Sequence, residues 1–191
     1  MESSEELLEA GAWWDKLGVF KEDGKCRICY IGNLSPNVDL IPIREAAIFF
    51  QKNNAPVEFV ICGNGVSYDE FVQLMVGLSN VKFPGRINRS KIEVLAQRSS
   101  AALIPYVNIE NFQLSLPNKA IDSMSLGLPI LSPLQGEVAE MLKKFNVGMR
   151  YGTDSGQDIV MCIERLVSEP VVRDQMSKNA SLLYENEFSF D

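Results

Sequence analysis

Short apolar runs alternate along this chain with segments of helical period. Cys26-Arg27-Ile28-Cys29-Tyr30-Ile31 stops at Gly32, as a buried parallel strand does. Val57–Cys62 stops at Gly63, and Ala101-Ala102-Leu103-Ile104 at Pro105. Shorter runs follow at Val81-Lys82-Phe83, Pro129-Ile130-Leu131 and residues 147–151. Between them, Tyr68, Phe71, Val72 and Met75 lie on one helical face, as do Val138, Met141, Leu142 and Phe145, then Ile159, Ile163, Leu166 and Val167. Ser67 with Glu70 and Ser90 with Glu93 read as capping boxes. Pro170 opens a last helix, and Pro42 is tolerable only where a helix begins near Asp39.

This alternation predicts an α/β fold: a doubly wound, mostly parallel, Rossmann-like sheet of about six strands in the order 3-2-1-4-5-6. Residues 1–25, acidic and carrying Trp13-Trp14, read as a lead-in or interdomain connector, and residues 26–191 as the domain. Ligands of such sheets bind beyond the carboxyl ends of the strands, which directs attention to the loops after Ile31, Cys62, Phe83 and Ile104.

Composition narrows the chemistry. The 191 residues carry a net charge of −7 with no basic tract, which argues against a nucleic-acid partner. The acidic start and the lack of a long apolar run argue against export and point to the cytoplasm. Cys26 and Cys29, three apart in a strand, point to opposite faces, poor geometry for a shared metal; the thiols read as reduced. The sequence contains no histidine. That removes the commonest general base and metal ligand, leaving backbone dipoles, carboxylates and cations to act.

At the strand ends, Gly32-Asn33 reads equally as a ligand contact and as a turn, while Gly63-Asn64-Gly65 reads first as a tight turn. The richest loop runs from Asn108 to Lys119. Ser115 precedes a helix that Pro117 can start, and a helix N-terminus with Lys119 beside it suits a diphosphate. The same residues also fit a Ser-capped helix with an exposed Lys119–Asp122 pair.

Four stretches in order carry a family resemblance. They are Ile31-Gly32-Asn33-Leu34, then Phe59 through Gly63-Asn64-Gly65, then Val81-Lys82-Phe83-Pro84-Gly85-Arg86-Ile87, and finally Ser115-Leu116-Pro117-Asn118-Lys119 with Asp122 and Gly127-Leu128-Pro129. Together they resemble the C-terminal, donor-binding domain of GT-B-fold glycosyltransferases of the family-4 type, common in bacterial polysaccharide synthesis. The resemblance implies a nucleoside-diphosphate-sugar donor held by Gly32, Asn33, Arg86, Ile87, Glu110, Leu114, Ser115, Leu116, Asn118, Lys119 and Asp122. Asp122 would take the ribose hydroxyls, and Leu114 to Leu116 would line diphosphate and sugar.

Two departures stand out. The family's first-loop Arg and Lys have no clear counterpart between Asn33 and Arg44, and the first Glu of its E-x7-E pair falls on Leu114, with Glu110 nearby. The resemblance further implies retaining transfer in polysaccharide or glycolipid synthesis, no cofactor and, in the absence of D-x-D, no metal. It leaves no room for the acceptor-binding half, so the expectation is a chain cut at the domain boundary, without a complete catalytic set and inactive alone. Any membrane contact of the whole enzyme, peripheral at the inner membrane, would then run through the other half. A non-catalytic nucleotide-binding subunit needing a partner chain and half of a GT-B-fold sugar-nucleotide epimerase are the alternatives.

Overall fold

The computed structural model describes residues 2–189. Met1, Phe190 and Asp191 lie outside the described residues. The elements are α1 (Ser4–Lys16), β1 (Cys26–Ile31), α2 (Ile41–Lys52), β2 (Val57–Cys62), α3 (Tyr68–Leu74), β3 (Val81–Gly85), α4 (Arg89–Gln97), β4 (Ala101–Leu103), α5 (Glu110–Gln113), α6 (Asn118–Ser125), β5 (Ile130–Ser132), α7 (Glu137–Phe145), β6 (Gly148–Arg150), α8 (Gln157–Ser168) and α9 (Pro170–Glu187). The six strands form one parallel sheet in the order β3-β2-β1-β4-β5-β6, as the alternation of periods predicts.

The central strands are apolar on both faces because both faces are covered. Ile28, Tyr30, Phe59 and Ile61 point to one side, where Ile43 and Phe50 of α2 and Ile159 and Ile163 of α8 meet them. Cys29, Val60 and Cys62 point to the other, against Leu95 of α4 and Trp14 of α1. Cys26 and Cys29 do face opposite ways. Met124, Val138, Leu142, Ala180 and Leu183 form a third cluster at the β5–β6 side. Pro42 sits in the opening turn of α2, where its missing N–H is harmless.

The lead-in expected as a connector is packed into this body. Trp14 is fully buried and its indole N–H donates to the Lys91 carbonyl at 2.9 Å, fastening α1 to α4. Helix α1 opens on a capping box between Ser3 and Glu6, a signature the sequence reading passed over. The two boxes it did name do not form. Ser67, at φ −98° and ψ 8°, lacks the extended backbone that aims a capping hydroxyl at the third amide. Ser90 lies inside α4, whose cap is the extended Asn88, accepting from the Lys91 amide.

The base of the sheet holds an ion cluster inside an otherwise apolar strand pair. Arg27 and Glu58 are cross-strand partners, both buried, joined Nε to Oε2 at 2.7 Å. Arg27 also binds Asp23 at 2.7 Å and the carbonyls of Phe20 and Arg98. Lys25 takes the other Glu58 oxygen at 3.0 Å. Two of these partners, Phe20 and Asp23, belong to the segment entering β1, which fixes that segment to the sheet. Among the described residues no helix is long and apolar enough to cross a membrane, and no cluster of metal-ligating side chains occurs.

Candidate functional site

The carboxyl ends of β1, β2 and β3 carry glycines that let three loops touch. The Gly32 amide donates to the Cys62 carbonyl, Gly63 to Gly85 and Leu34 to Asn64, each at 2.9 Å. A Cβ on Gly63 would overlap the Gly32 carbonyl oxygen, so that loop can close only around glycine there. The result is a cleft of about 650 Å³ lined by residues that include Gly32, Asn33, Asn64, Arg86 and Ile87.

Among the described residues, the backbone N–H groups of Asn33, Asn64, Arg86 and Ile87 donate to no other protein atom. Unpaired amides on residues lining one cleft are the kind of group that can form a nest for an anion. Arg86, exposed at its rim, makes no ion pair among the described residues. The amide of Gly32 is itself spent on Cys62, so this glycine serves close approach rather than donation.

A second cleft of about 730 Å³ opens between α4 and α6, with Cys29, Ala102 and Leu103 on its floor and Glu93, Lys119, Asp122 and Tyr184 among its walls. The two clefts share Ile31, and Lys119 lies on the ridge between them. Its Nζ donates to the Ile31 carbonyl at 3.1 Å, lies 5.7 Å from the centre of the Tyr30 ring, and fills the space a Cβ on Gly32 would need. Burial lowers its pKa below the ordinary lysine value, with Asp122 partly opposing the shift. Helix α6, which carries Lys119, starts at Pro117 with no side chain capping its free amides.

The predicted site residues therefore divide. Gly32, Asn33, Arg86 and Ile87 line the first cleft; Lys119 and Asp122 line the second and meet the first across Ile31. Glu110, Leu114, Ser115, Leu116 and Asn118 line neither, contrary to the expected convergence of the Ser115 loop. Ser115 is not a helix cap: its hydroxyl donates back to the Asn111 carbonyl at 2.8 Å and closes the short α5. Leu114 is 73% exposed, while Leu116 is drawn into the third apolar cluster. Lys119 and Asp122 are not an exposed ion pair, since Lys119 is half-buried and turned toward β1.

Sequence reasoning undervalued Gly63-Asn64-Gly65. The available signal was its place at the end of β2, next to β1, where a G-x-G turn must face the first loop. Tyr30 was missed as well. A hydroxyl-bearing ring at a buried strand position needs a partner, and Tyr30 donates to the Asn33 carbonyl at 2.7 Å.

The six-stranded parallel sheet with helices on both faces is of Rossmann-like architecture and matches the C-terminal domains of GT-B glycosyltransferases in fold. Residues 16–182 match the family described as Glycosyl transferases group 1, and the chain belongs to that family. Among solved structures it is similar to WaaG, a glycosyltransferase involved in lipopolysaccharide biosynthesis (TM-score 0.74, 15% identity, 98% of this chain and 48% of that one). Anabaena HepE in complex with UDP-glucose gives a TM-score of 0.76 at 17% identity, over 98% of this chain and 50% of that one. The C-terminal domain of LpcC, a group 1 family protein from Francisella tularensis, gives 0.73 at 19% identity, over 95% of this chain and 94% of that one. The chain thus spans about half the length of WaaG and HepE. No curated protein sequence matches it.

Proposed function

We propose that this chain is the C-terminal, donor-binding domain of a family-4-type GT-B glycosyltransferase, taking a nucleoside-diphosphate sugar for transfer in polysaccharide or glycolipid synthesis. The observation that carries the reading is the meeting of four unpaired amides with the Lys119 ammonium at one edge of the sheet. In the transfer, negative charge gathers on the departing diphosphate. Amides, the α6 N-terminus, Lys119 and Arg86 are aimed where that charge develops, with no proton transfer asked of them and no metal or cofactor called for. Asp122 faces the second cleft, where a ribose joined to that diphosphate would lie. The sugar acceptor belongs to a second domain facing this edge, and transfer with retention requires both. That HepE was solved with UDP-glucose supports the donor class.

A thermal-shift screen of the chain against UDP, GDP, ADP and dTDP sugars tests the reading. Stabilisation by one nucleotide series and no sugar transfer by the chain alone are the expected results; no stabilisation by any series defeats it.

One observation favours a second reading, a nucleotide-binding subunit without catalysis of its own. Leu114 stands where the resemblance expects a carboxylate, and no side chain of residues 110–116 lines either cleft. Assay of the full-length protein with donor and acceptor extracts decides between the two.

A further inference from the structure

Tyr30 occupies the point where the elements of the anion site meet, yet it contacts no solvent. Its hydroxyl donates to the Asn33 carbonyl at 2.7 Å and would lie 3.0 Å from a Cβ on Gly32. Its ring lies beneath the Lys119 ammonium, at 5.7 Å from the ring centre. The phenol of Tyr106 faces it and adds to the effect of burial in holding the Tyr30 hydroxyl protonated. Tyr106 is in turn braced by Phe112, stacked at 4.7 Å between ring centres and 8° between planes. The loops following β1 and β4 are zipped around this pair by Val107 to Asn37 at 2.9 Å and Asp39 to Pro105 at 2.7 Å.

The Asn33 carbonyl shares a peptide plane with the Leu34 N–H, which donates to Asn64 at 2.9 Å, so this plane is held at both ends and anchors the turn from which the Asn33 N–H projects. Asn33 carries one of the four unpaired N–H groups, and its carbonyl is pinned by Tyr30. One side chain thus fixes the turn that presents the amide, and its ring face supports the cation on the ridge beside that cleft.

Resting on the donor-binding reading above, we propose that Tyr30 is a positioning residue for the diphosphate of the donor, setting the Gly32–Asn33 turn through its hydroxyl and Lys119 through its ring. It touches no ligand atom itself. Tyr30→Phe keeps the ring and its apolar packing but releases Asn33. Tyr30→Leu removes both supports. Neither acts on the nucleoside part of the ligand.

The test is calorimetry on the chain with UDP, GDP, ADP and dTDP, carrying forward the tightest binder together with its own nucleoside. The nucleoside diphosphate should bind about threefold to tenfold more weakly to Tyr30→Phe, the size of one lost orienting hydrogen bond, and more weakly still to Tyr30→Leu. Nucleoside affinity should not change, so the ratio of the two affinities falls. A buried tyrosine that only stabilises the fold would lower both together or neither. An unchanged ratio in a folded Tyr30→Phe overturns the proposal while leaving the donor reading intact. Failure of the wild-type chain to bind any of the four overturns both. A second measurement needs no variant: in wild-type protein the backbone amide resonances of Gly32 and Asn33 and the Lys119 ε-methylene should shift along one binding isotherm. Silence of the Asn33 amide at saturation with the nucleoside diphosphate also overturns the proposal.

Discussion

The ammonium of Lys119 lies 3.1 Å from the carbonyl oxygen of Ile31, so helix α6 reaches across the gap to the end of β1 through one side chain. Desolvation there disfavours its charge and lowers its pKa from the ordinary lysine value, while Asp122 restores part of the loss. Folded protein therefore holds this proton less tightly than unfolded chain. Below the lowered pKa the buried charge costs stability, and the cost is relieved as pH rises from the folded toward the unfolded value. Ligand binding runs the other way, because a diphosphate needs the charged form. Nucleoside-diphosphate affinity should fall with alkaline pH, beginning below the usual lysine range. In Lys119→Met the affinity should be lower at neutral pH by about tenfold or more, the loss of one charge-assisted hydrogen bond, and this alkaline decline should vanish. Calorimetry across pH checks both, and equal profiles in the two proteins count against the assignment of Lys119.

Asp122 is exposed, lines the second cleft and forms no ion pair among the described residues. Asp122→Asn should weaken nucleoside-diphosphate binding by about tenfold, since hydrogen bonds to a carboxylate contribute roughly 1.5–3 kcal/mol each. The melting temperature without ligand should hardly move. Unchanged affinity removes Asp122 from the site.

Arg27 and Glu58 lie at the opposite end of the same strands and govern folding rather than binding. Replacing Glu58 with Gln leaves Arg27 buried without its main counter-charge and should cost about 3–5 kcal/mol in denaturant unfolding, as for other broken buried pairs. Arg27→Met with Glu58→Leu removes both charges together and should cost markedly less than the two single changes summed. Additive costs would show that the two side chains do not act as a pair.

The sheet was legible, down to the strand order, because β1, β2 and β4 lie in apolar runs ended by glycine or proline and α3, α7 and α8 show a helical period between strands. Local punctuation read less well. Ser-x-x-Glu occurs at Ser3, Ser67 and Ser90, and it forms a box only at Ser3, where the backbone enters the helix extended. The site was half legible. Strand-end placement alone brings Asn33 and Arg86 to one cleft and Lys119 to the cleft beside it. The Ser115 loop did not follow, because residues 110–113 turn into a short helix whose closing contact takes the Ser115 hydroxyl. Buried polar groups were hidden for a different reason. Arg27 and Tyr30 sit inside apolar runs, and only the pairing of β1 with β2 shows that Arg27 faces Glu58.

Two neighbouring glycines separate binding from stability. Gly63 has φ +142° and a Cβ there would overlap the Gly32 carbonyl, a backbone atom that cannot yield. Gly63→Ala should therefore damage the junction of β1 and β2, costing at least about 3 kcal/mol from left-handed strain and overlap combined. At Gly32 the obstacle is different. Its backbone is not left-handed, and the atoms in the way are the Nζ and Cε of Lys119, the far end of a flexible side chain. Gly32→Ala should evict Lys119 from the Ile31 carbonyl while leaving the sheet intact. The melting temperature should move by only a few degrees, the shift that about 1 kcal/mol makes in a domain of this size. Nucleoside-diphosphate affinity should drop toward that of Lys119→Met, and the double variant Gly32→Ala with Lys119→Met should bind no more weakly than Lys119→Met alone. Additive losses in the double variant would mean that Gly32 acts on the ligand directly and not by making room for the lysine.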